Sequence, residues 1–338
     1  MKILVTGGLG FIGSHTVVEL IENGYEVMIV DNLYNSELEV KDKIKEITGI
    51  EPKVYVKDLL NKNELEKIFE ENKIDSVIHF AGYKAVGESC KEPLKYYHNN
   101  LGATINLLEV MKEHDVKKIV FSSSATVYGT PEVHKFSESL GRGKTTNPYG
   151  NTKSMIEQIL EDLYQSDNQW SIGVLRYFNP IGAHSSGLIG EKPVGIPNNL
   201  MPYILKVANG ELEYLRVFGN DYNTHDGTGV RDYIHVVDLE KGHLKVLEKM
   251  ENSGSGLYVY NFGSEKGYSV LDLVKTFEKV NNIKINYKIV QRRPGDIDEY
   301  YADSSKARKE LGWTAEKTLE DICRDSWNFM KKLDRENQ

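Results

Sequence analysis

Cysteine, long apolar runs and excess positive charge are all scarce in this chain of 338 residues. Cys90 and Cys323 are too few for a disulfide framework and form no metal-ligand spacing, so we expect free thiols and no bound metal. No apolar run reaches the roughly 18 residues that a transmembrane helix needs. Met1 leads almost at once into an apolar stretch, which leaves no room for a signal peptide. We therefore expect a cytoplasmic protein with no membrane partner.

The balance of charge also argues against nucleic acid as a partner. The formal net charge is −8, and no run of basic residues interrupts it. A mildly acidic protein can still bind an anionic substrate if it places a few arginines locally. The sequence contains no internal repeat, linker or low-complexity tract, so its length fits one large core, or a nucleotide-binding domain with a smaller lobe.

Short apolar segments alternate with helical stretches through the first half of the chain. This alternation predicts a Rossmann-type, doubly wound parallel sheet of the α/β class, with strands at 2–6, 25–31, 53–57, 75–81, 117–123 and 171–178. After Asn179 the pattern breaks into a Gly/Pro-rich stretch, and strands are expected again at 258–262 and 285–289. We expect residues 1–180 to form the dinucleotide-binding domain. Residues 181–338 should form mainly a smaller mixed α/β substrate-binding lobe, with some segments returning to the first domain.

A glycine-rich turn follows the first predicted strand and precedes a predicted helix. Gly8, Gly10 and Gly13 fit the dinucleotide fingerprint, and Gly7 with Gly10 and Gly13 fits a variant of it. Glycine lets the backbone approach a pyrophosphate, which then sits against the amides at the helix N-terminus. Asp31 ends the second strand, where a carboxylate accepts hydrogen bonds from the ribose and repels a 2′-phosphate. The sequence therefore predicts NAD rather than NADP as cofactor.

Tyr149 and Lys153 supply a candidate acid–base pair. Asn147 and Pro148 are typical of a helix start, so the two side chains fall one turn apart on the same helix face. A free phenol, with a pKa of about 10, is a poor base at neutral pH. A nearby ammonium group, and a cationic nicotinamide, would lower that pKa. The pair could then take a proton from an alcohol while its carbon gives up hydride.

Longer segments make the resemblance to a known family specific. The chain resembles the extended short-chain dehydrogenase/reductase family and, within it, the UDP-glucose 4-epimerases (UDP-galactose 4-epimerases) over nearly its whole length. The matching segments are TGGLGFIGSH (6–15), IHFAGYKAVGES (78–89), FSSSATVYG (121–129), LRYFNP (175–180), GIPNNLMP (195–202) and DGTGVRDYIH (226–235). The first marks the superfamily only, whereas the last three are narrower signals.

The resemblance implies a role for each matching residue. The catalytic residues would be Ser124, Tyr149 and Lys153, with Ser124 helping to relay the proton. The cofactor-binding residues would be Gly7, Gly10, Phe11, Ile12, Gly13, Asp31, Asn32, Asn35, Ser36, Asp58, Leu59, Phe80, Ala81, Lys84, Asn99, Ser124, Tyr149, Lys153 and Phe178. The residues binding the UDP-sugar would be Ser124, Tyr149, Tyr177, Asn179, Asn199, Leu200, Leu215, Arg216, Val217, Phe218, Arg231, Arg293, Asp296 and Tyr300. Asp58 and Asn99 could equally be ordinary cap residues, and Phe178 could be a plain core residue.

The implied reaction interconverts UDP-glucose and UDP-galactose. Tyr149 would take the 4-hydroxyl proton, hydride would pass from C4 to NAD, and the 4-keto sugar would turn before hydride returns. Sugar dehydratases of this superfamily place an Asp-Glu pair beside the serine, but Ala125 and Thr126 stand there in this chain, so elimination lacks its acid and base. The alternatives are another NAD-dependent UDP-sugar epimerase or decarboxylase, acting on UDP-glucuronate or UDP-N-acetylglucosamine, and a non-catalytic dinucleotide sensor.

Two further expectations concern substrate range and assembly. Tyr300 is expected to fill the pocket beside the sugar 2-substituent and so to disfavour N-acetylated sugars. A homodimer is expected through helices at 93–111 and 154–163, whose apolar residues exceed the needs of one buried face. These residues are Tyr96, Tyr97, Leu107, Leu108, Met155, Ile159 and Leu163.

Overall fold

The computed structural model describes residues 1–193, 195, 197, 199–293 and 296–336. Its strands are β1 (Lys2–Thr6), β2 (Glu26–Asp31), β3 (Lys53–Val56), β4 (Ser76–His79), β5 (Lys118–Ser124), β6 (Lys135–Phe136), β7 (Ser171–Tyr177), β8 (Asn179–Ile181), β9 (Leu215–Phe218), β10 (Val230–His235), β11 (Gly256–Phe262), β12 (Gly267–Ser269), β13 (Tyr287–Val290) and β14 (Glu299–Ala302). Its helices are α1 (Phe11–Glu22), α2 (Val40–Thr48), α3 (Lys62–Glu71), α4 (Val86–Lys91), α5 (Pro93–Glu113), α6 (Pro148–Ser166), α7 (Leu200–Ala208), α8 (Val236–Ser253), α9 (Val270–Asn281), α10 (Ser305–Leu311) and α11 (Leu319–Glu336). Two short 3₁₀ helices cover Ala125–Tyr128 and Glu138–Leu140.

A seven-stranded parallel sheet organises the first half of the chain. Its strand order is β11-β7-β5-β4-β1-β2-β3, and the pairings between neighbours are parallel. The six strands predicted in the first half all lie in this sheet, so the predicted doubly wound α/β fold is confirmed. The strand order turns back between β1 and β4, and in such sheets ligands bind outside the carboxyl ends of the strands at this point.

Helices cover both faces of the large sheet. One face packs against α1 and α8 through residues such as Val17 and Leu239, and the other packs against α5 and α6 through residues such as Leu107 and Leu160. Because both faces are buried, the central strands consist of continuous apolar runs, as β1 does.

The remaining strands form two smaller sheets beside the carboxyl edge. One has the order β12-β10-β14-β6, with β8 pairing to β10, and the other pairs β9 with β13. Helices α7, α9 and α11 contribute to a separate apolar core that includes Ile204, Phe277 and Ile322. The predicted strand at 285–289 is observed as β13, two residues later at its start.

Strand β11 belongs to the large sheet although it lies late in the chain. The sequence predicted a strand at 258–262 among the elements of the second lobe, whereas β11 pairs in parallel with β7 at the edge of the large sheet. The segment returns because α8 crosses one face of this sheet and delivers the chain to its open edge. Among the described residues, no helix is both long and apolar enough to cross a membrane.

The apolar surface of α5 and α6 differs from the expectation. Tyr96, Leu107 and Leu108, which were expected to be available to a partner chain, are buried against the chain's own core. These apolar residues are not in excess, because α5 packs against both α3 and α6 and so buries a wide face within the chain. The large apolar side chains that these two helices do expose include Leu94, Ile105 and Met155, of which Leu94 is 80% exposed.

Candidate active site

Helix α6 carries Tyr149 and Lys153 at its N-terminal end. Asn147 is the N-cap, as predicted, and its side-chain oxygen accepts a hydrogen bond from the backbone of Gly150 at 2.8 Å. Pro148 occupies the first turn, where its missing N–H costs nothing. The cap therefore fixes the first turn of α6, which holds Tyr149, and Lys153 follows one turn later.

Ser124 reaches the same place from the end of β5. Its hydroxyl accepts a hydrogen bond from the backbone of Thr126 at 3.3 Å and so begins the 3₁₀ helix. Gly150 lets α6 approach this turn closely, because a Cβ atom at Gly150 would already lie 3.2 Å from the Thr126 side chain. The structure thus brings Ser124 and Tyr149 together at the carboxyl edge of the large sheet.

The Lys153 ammonium is held differently from the expectation. Its Nζ donates to the carbonyl oxygen of Ser122 at 2.5 Å and lies 4.7 Å from the centre of the Phe121 ring. Burial lowers the pKa of Lys153 to about 7, against the opposing effect of the Glu157 carboxylate. Lys153 is therefore anchored to β5.

The Tyr149 phenol is surrounded by groups with opposing effects on its ionisation. Burial raises the pKa of Tyr149, while a hydrogen bond with Ser124 and the charge of Lys84 lower it. The sequence analysis assigned the lowering effect to Lys153. The charge of Lys84 was not part of that expectation. The Lys153 ammonium, one turn further along α6, donates to the backbone carbonyl of Ser122.

The glycine turn after β1 is shaped for a bound phosphate. A Cβ atom on Gly13 would lie 2.2 Å from the Gly7 carbonyl oxygen, and Gly7 itself adopts a φ of +67°. The N-cap of α1 is Gly10, which offers no side-chain cap, and the first turn carries no acidic residue. The backbone amides at Phe11 and Ile12 thus head a helix whose N-terminus favours an anion, so these residues fit a dinucleotide pyrophosphate.

Asp31 organises the loop beside this turn. Its carboxylate accepts hydrogen bonds from the backbone of Leu9 and Leu33 and from the Ser36 hydroxyl. A carboxylate offers roughly four acceptor positions, so little capacity remains once these donors are satisfied. The negative charge itself stays at the end of β2, where it opposes a 2′-phosphate.

The other expected cofactor residues follow the ends of β2, β3 and β4. Asn32 donates to Asp58 at 3.0 Å, and Asp58 also accepts from the backbone of Leu60, which is the arrangement of a turn cap. Leu59 is buried, and Asn35 is exposed. The residues at the end of β4 and on α5 include Phe80, which packs on His243, Ala81, whose N–H donates to Thr6, and Asn99, which donates to Asn100.

Lys84 is paired with a carboxylate that the sequence analysis missed. Its Nζ lies 2.9 Å from Glu191, and the same Glu191 oxygen accepts a hydrogen bond from Asn199 at 2.7 Å. Glu191 therefore joins an expected cofactor residue to an expected substrate residue. It lies in the Gly/Pro-rich stretch, where no periodic pattern indicates which side chains point inward.

A second group of expected substrate residues gathers around Tyr300. Arg231 pairs with Asp296, and its guanidinium lies 4.7 Å from the centre of the Tyr300 ring. The Tyr300 hydroxyl donates to Asn179 at 3.4 Å, and its ring packs against those of Phe136 and Phe178. Phe178 is thus a buried core residue whose ring also contacts Tyr300.

The strand β9 supplies the remaining expected contacts. Arg293 lies over the Phe218 ring at 4.1 Å, and Arg216 is exposed on the same strand as Phe218. Leu215 and Val217 are buried, so only their backbone groups could reach a ligand. Leu200 begins α7 after Asn199. Ile196 and Asn198 of the quoted motif, and Pro294 and Gly295 after Arg293, lie outside the described residues.

Tyr177 is an expected substrate residue whose side chain is already engaged within the protein. It is buried, and its hydroxyl is hydrogen-bonded to His243 on α8. Burial raises the pKa of Tyr177, so the phenol stays neutral beside Tyr149. Its hydroxyl is already engaged within the protein, which leaves the ring as the part that could face a substrate.

A parallel sheet with a glycine cradle after β1, and a Tyr-Lys pair beside a strand-end serine, defines a dinucleotide-binding protein of the short-chain dehydrogenase/reductase type. Comparison with known proteins narrows this class. Residues 4–326 match the family model described as GDP-mannose 4,6 dehydratase. The chain is 59% identical to the UDP-glucose 4-epimerase of Bacillus subtilis over 97% of this chain and 96% of that one. The chain belongs to the UDP-glucose 4-epimerase family, and the predicted family is confirmed.

Solved structures agree with this assignment. The UDP-glucose 4-epimerase from Bifidobacterium longum in complex with NAD⁺ and UDP is 54% identical, with a TM-score of 0.95 over 98% of both chains. The UDP-Glc/GlcNAc 4-epimerase from Campylobacter jejuni is 33% identical, with a TM-score of 0.85, over 98% of this chain and 99% of that one. Because both kinds of enzyme share the fold, substrate range has to be argued from the residues lining the pocket.

Proposed function

We propose that the protein interconverts UDP-galactose and UDP-glucose by reversible oxidation at the sugar C4, with NAD as cofactor. The observation that carries this proposal is the meeting of Ser124 and Tyr149 beside the Lys153 turn of α6, at the sheet edge that also bears the glycine cradle. Family membership supports the same reaction. Ala125 and Thr126 follow Ser124 without a carboxylate, which disfavours elimination of water.

The chain's own residues manage the proton. Tyr149, as phenolate, takes the proton of the 4-hydroxyl group and later returns it, and Ser124 holds the phenol and the sugar oxygen in line. Lys84 supplies positive charge that favours the phenolate, and Lys153, one turn along α6, would supply a second cation. When bound, NAD would supply the hydride acceptor for C4 and, once reduced, the hydride donor for the other face of the 4-keto sugar, so that no NAD would be consumed.

The UDP end of the substrate is held by the residues around β9, β10 and β14. Arg231 and Arg293 suit a diphosphate because a guanidinium forks onto phosphate oxygens, and Asp296 suits ribose hydroxyls. Binding energy placed on UDP lets the sugar turn while it stays attached to the protein.

On this view residues 1–180 hold mainly the cofactor and residues 181–338 mainly the UDP-sugar. The protein acts in the cytoplasm as a homodimer.

The test is to incubate the purified protein with UDP-galactose, without added NAD, and to follow UDP-glucose by NMR. We expect conversion, because each turnover regenerates the cofactor that co-purifies. Heat-denatured protein is the control. No conversion, even after NAD is added, would contradict the proposed reaction.

The carboxylate at the end of β2 predicts which dinucleotide the protein carries. Asp31 opposes a 2′-phosphate, so the dinucleotide released on denaturing the purified protein should be NAD. Chromatography of the released nucleotide measures this directly. A release of mainly NADP would show that Asp31 does not select the cofactor.

A further inference from the structure

Glu157 continues the row of side chains formed by Tyr149 and Lys153 on α6. Residues four apart on a helix share a face, so the three side chains lie one above the other over two turns. Glu157 is only 1% exposed. An acidic side chain is rarely buried so deeply unless it is paired.

The Glu157 carboxylate joins three elements of the site. Its Oε1 accepts a hydrogen bond from the Ser123 hydroxyl at 2.5 Å and from Nε of Arg176 at 3.1 Å. Its Oε2 accepts from Nη2 of Arg176 at 2.7 Å. Ser123 immediately precedes Ser124 on β5, and Arg176 pairs with Ser123 across to β7. One carboxylate therefore ties α6 to both strands one residue below the candidate proton relay.

The charge of Glu157 also bears on Lys153. The titratable groups that interact electrostatically with the Lys153 ammonium include Glu157 on its own helix and His79 on β4. Arg176 on β7 lies beyond Glu157, to which it is bonded. Burial, with a smaller contribution from Lys153, lowers the pKa of His79 to about 3, so this ring stays neutral. Glu157 is thus the carboxylate that opposes the loss of the Lys153 proton.

We propose that Glu157 is a positioning residue for the epimerase reaction: its carboxylate locks the Lys153 turn of α6 to the ends of β5 and β7 and balances the buried positive charge beneath the site. The inference rests on the proposed roles of Tyr149 and Lys153. A buried ion pair adds little net stability as a rule, because desolvation offsets its attraction. Placing the Glu157–Arg176 pair directly under the relay instead fixes the relative position of Ser124 and Tyr149.

The variant Glu157→Gln tests the proposal in the NAD-containing protein. Glutamine keeps the shape and removes the charge, which leaves Arg176 uncompensated. We expect kcat for UDP-galactose to fall about 10–100-fold, as small displacements of reacting groups do, with KM changed by less than about twofold. The alkaline limb of the pH profile of kcat should move to lower pH, since Lys153 then loses its proton more easily.

Two further variants separate positioning from a general structural role. Glu161→Gln removes the carboxylate one turn further along α6, which pairs with Arg142, and should leave both kcat and the pH profile as in the wild type. Glu157→Asp keeps the charge and should keep the alkaline limb in place even if kcat falls. If Glu157→Gln yields no folded protein, Ser123→Ala is tested in its place. This variant removes the hydrogen bond between Glu157 and β5, so it should lower kcat without moving the alkaline limb of the pH profile.

The outcomes distinguish this proposal from the proposed function. An inactive wild-type protein, or a fully active Lys153→Met variant, would overturn the reaction or the role of Lys153. An active wild type, with Glu157→Gln matching Glu161→Gln in both kcat and pH profile, would overturn the positioning role alone. If Ser123→Ala has to replace Glu157→Gln, an unchanged kcat in Ser123→Ala would likewise overturn the positioning role.

Discussion

The phenol of Tyr149 sits where its own protein both hinders and helps its ionisation. Burial favours the neutral phenol, and the hydrogen bond with Ser124 and the charge of Lys84 favour the phenolate. A cationic nicotinamide would also favour the phenolate. Binding of the oxidised cofactor should therefore lower the pKa of Tyr149. The phenol would then stay protonated in the free protein and would act as a base only when a hydride acceptor is bound.

Removing this phenol should abolish most of the activity. Tyr149→Phe keeps the ring and deletes the hydroxyl, so we expect kcat to fall by about 10²–10⁴-fold, the usual contribution of general acid–base catalysis. Bound dinucleotide and UDP affinity should persist. Tyr164→Phe, which deletes a phenol further along α6, is the control and should behave as the wild type. A Tyr149→Phe variant with a third of the wild-type rate would show that the base lies elsewhere.

Tyr300 should set the substrate range. Its ring stacks on Phe136 at a centroid distance of 5.6 Å, and its hydroxyl donates to Asn179. An N-acetyl group placed beside this ring would meet a packed surface. We expect the wild type to prefer UDP-galactose strongly over UDP-N-acetylgalactosamine, and Tyr300→Cys to raise kcat/KM for the N-acetylated sugar.

The neighbouring tyrosine provides a matched control for this prediction. Tyr301 points to the opposite face of β14, because side chains alternate along a strand. Tyr301→Cys should therefore leave the ratio of the two kcat/KM values unchanged. Comparable kcat/KM for both sugars in the wild type would exclude Tyr300 as the gate.

Sequence alone identified the residues whose spacing reflects local geometry. Tyr149 and Lys153 are recognisable because a helix places them on one face, and Gly7 to Gly13 because strand, turn and helix follow in order. Glu191 escaped because its contacts with Lys84 and Asn199 come from distant parts of the chain. Glu157 is an acidic residue on the apolar face of α6, which is a pattern that the sequence alone displays. Its partners on β5 and β7 could not be predicted, because they depend on the tertiary fold.

At the scale of elements, the start of α6 should control both stability and catalysis. Asn147→Ala removes the cap on Gly150, which typically costs about 1 kcal/mol. We expect the urea midpoint to fall with an unchanged m-value, and kcat to fall as well, because Tyr149 lies in the turn that frays. Asn147→Ser, which can still cap, should restore both. Equal stability of the alanine variant and the wild type would contradict this account.

The elements that the sequence predicted well are those of the large sheet. Its strands are apolar runs separated by helices, a pattern that survives in a single sequence. Strands β6 and β8 have two and three residues, and no periodicity can emerge over so few positions. They exist because β14 and β10 offer them free backbone partners, which is a property of the assembled fold.

At the scale of the whole molecule, exposed apolar residues on α5 and α6 favour pairing with a second copy. Ile105 and Met155 are each 42% exposed on these neighbouring helices. We expect sedimentation at micromolar concentration to give twice the chain mass of 38.4 kDa, and the double variant Ile105→Glu, Met155→Glu to shift it toward one chain. Ile289→Glu, at an equally exposed position on β13, is the matched control. A wild-type protein of one chain mass would refute the homodimer.

The late return of β11 has a consequence for how this chain must be made. Strand β7 is complete at Tyr177, yet its edge partner begins only at Gly256. During synthesis the nascent large sheet therefore carries an open edge while the ribosome adds the elements from β8 to α8, and such edges recruit other chains. A fragment ending near residue 180 would keep that edge for good. The large sheet therefore receives its seventh strand, which covers the edge of β7, only from residues beyond 180.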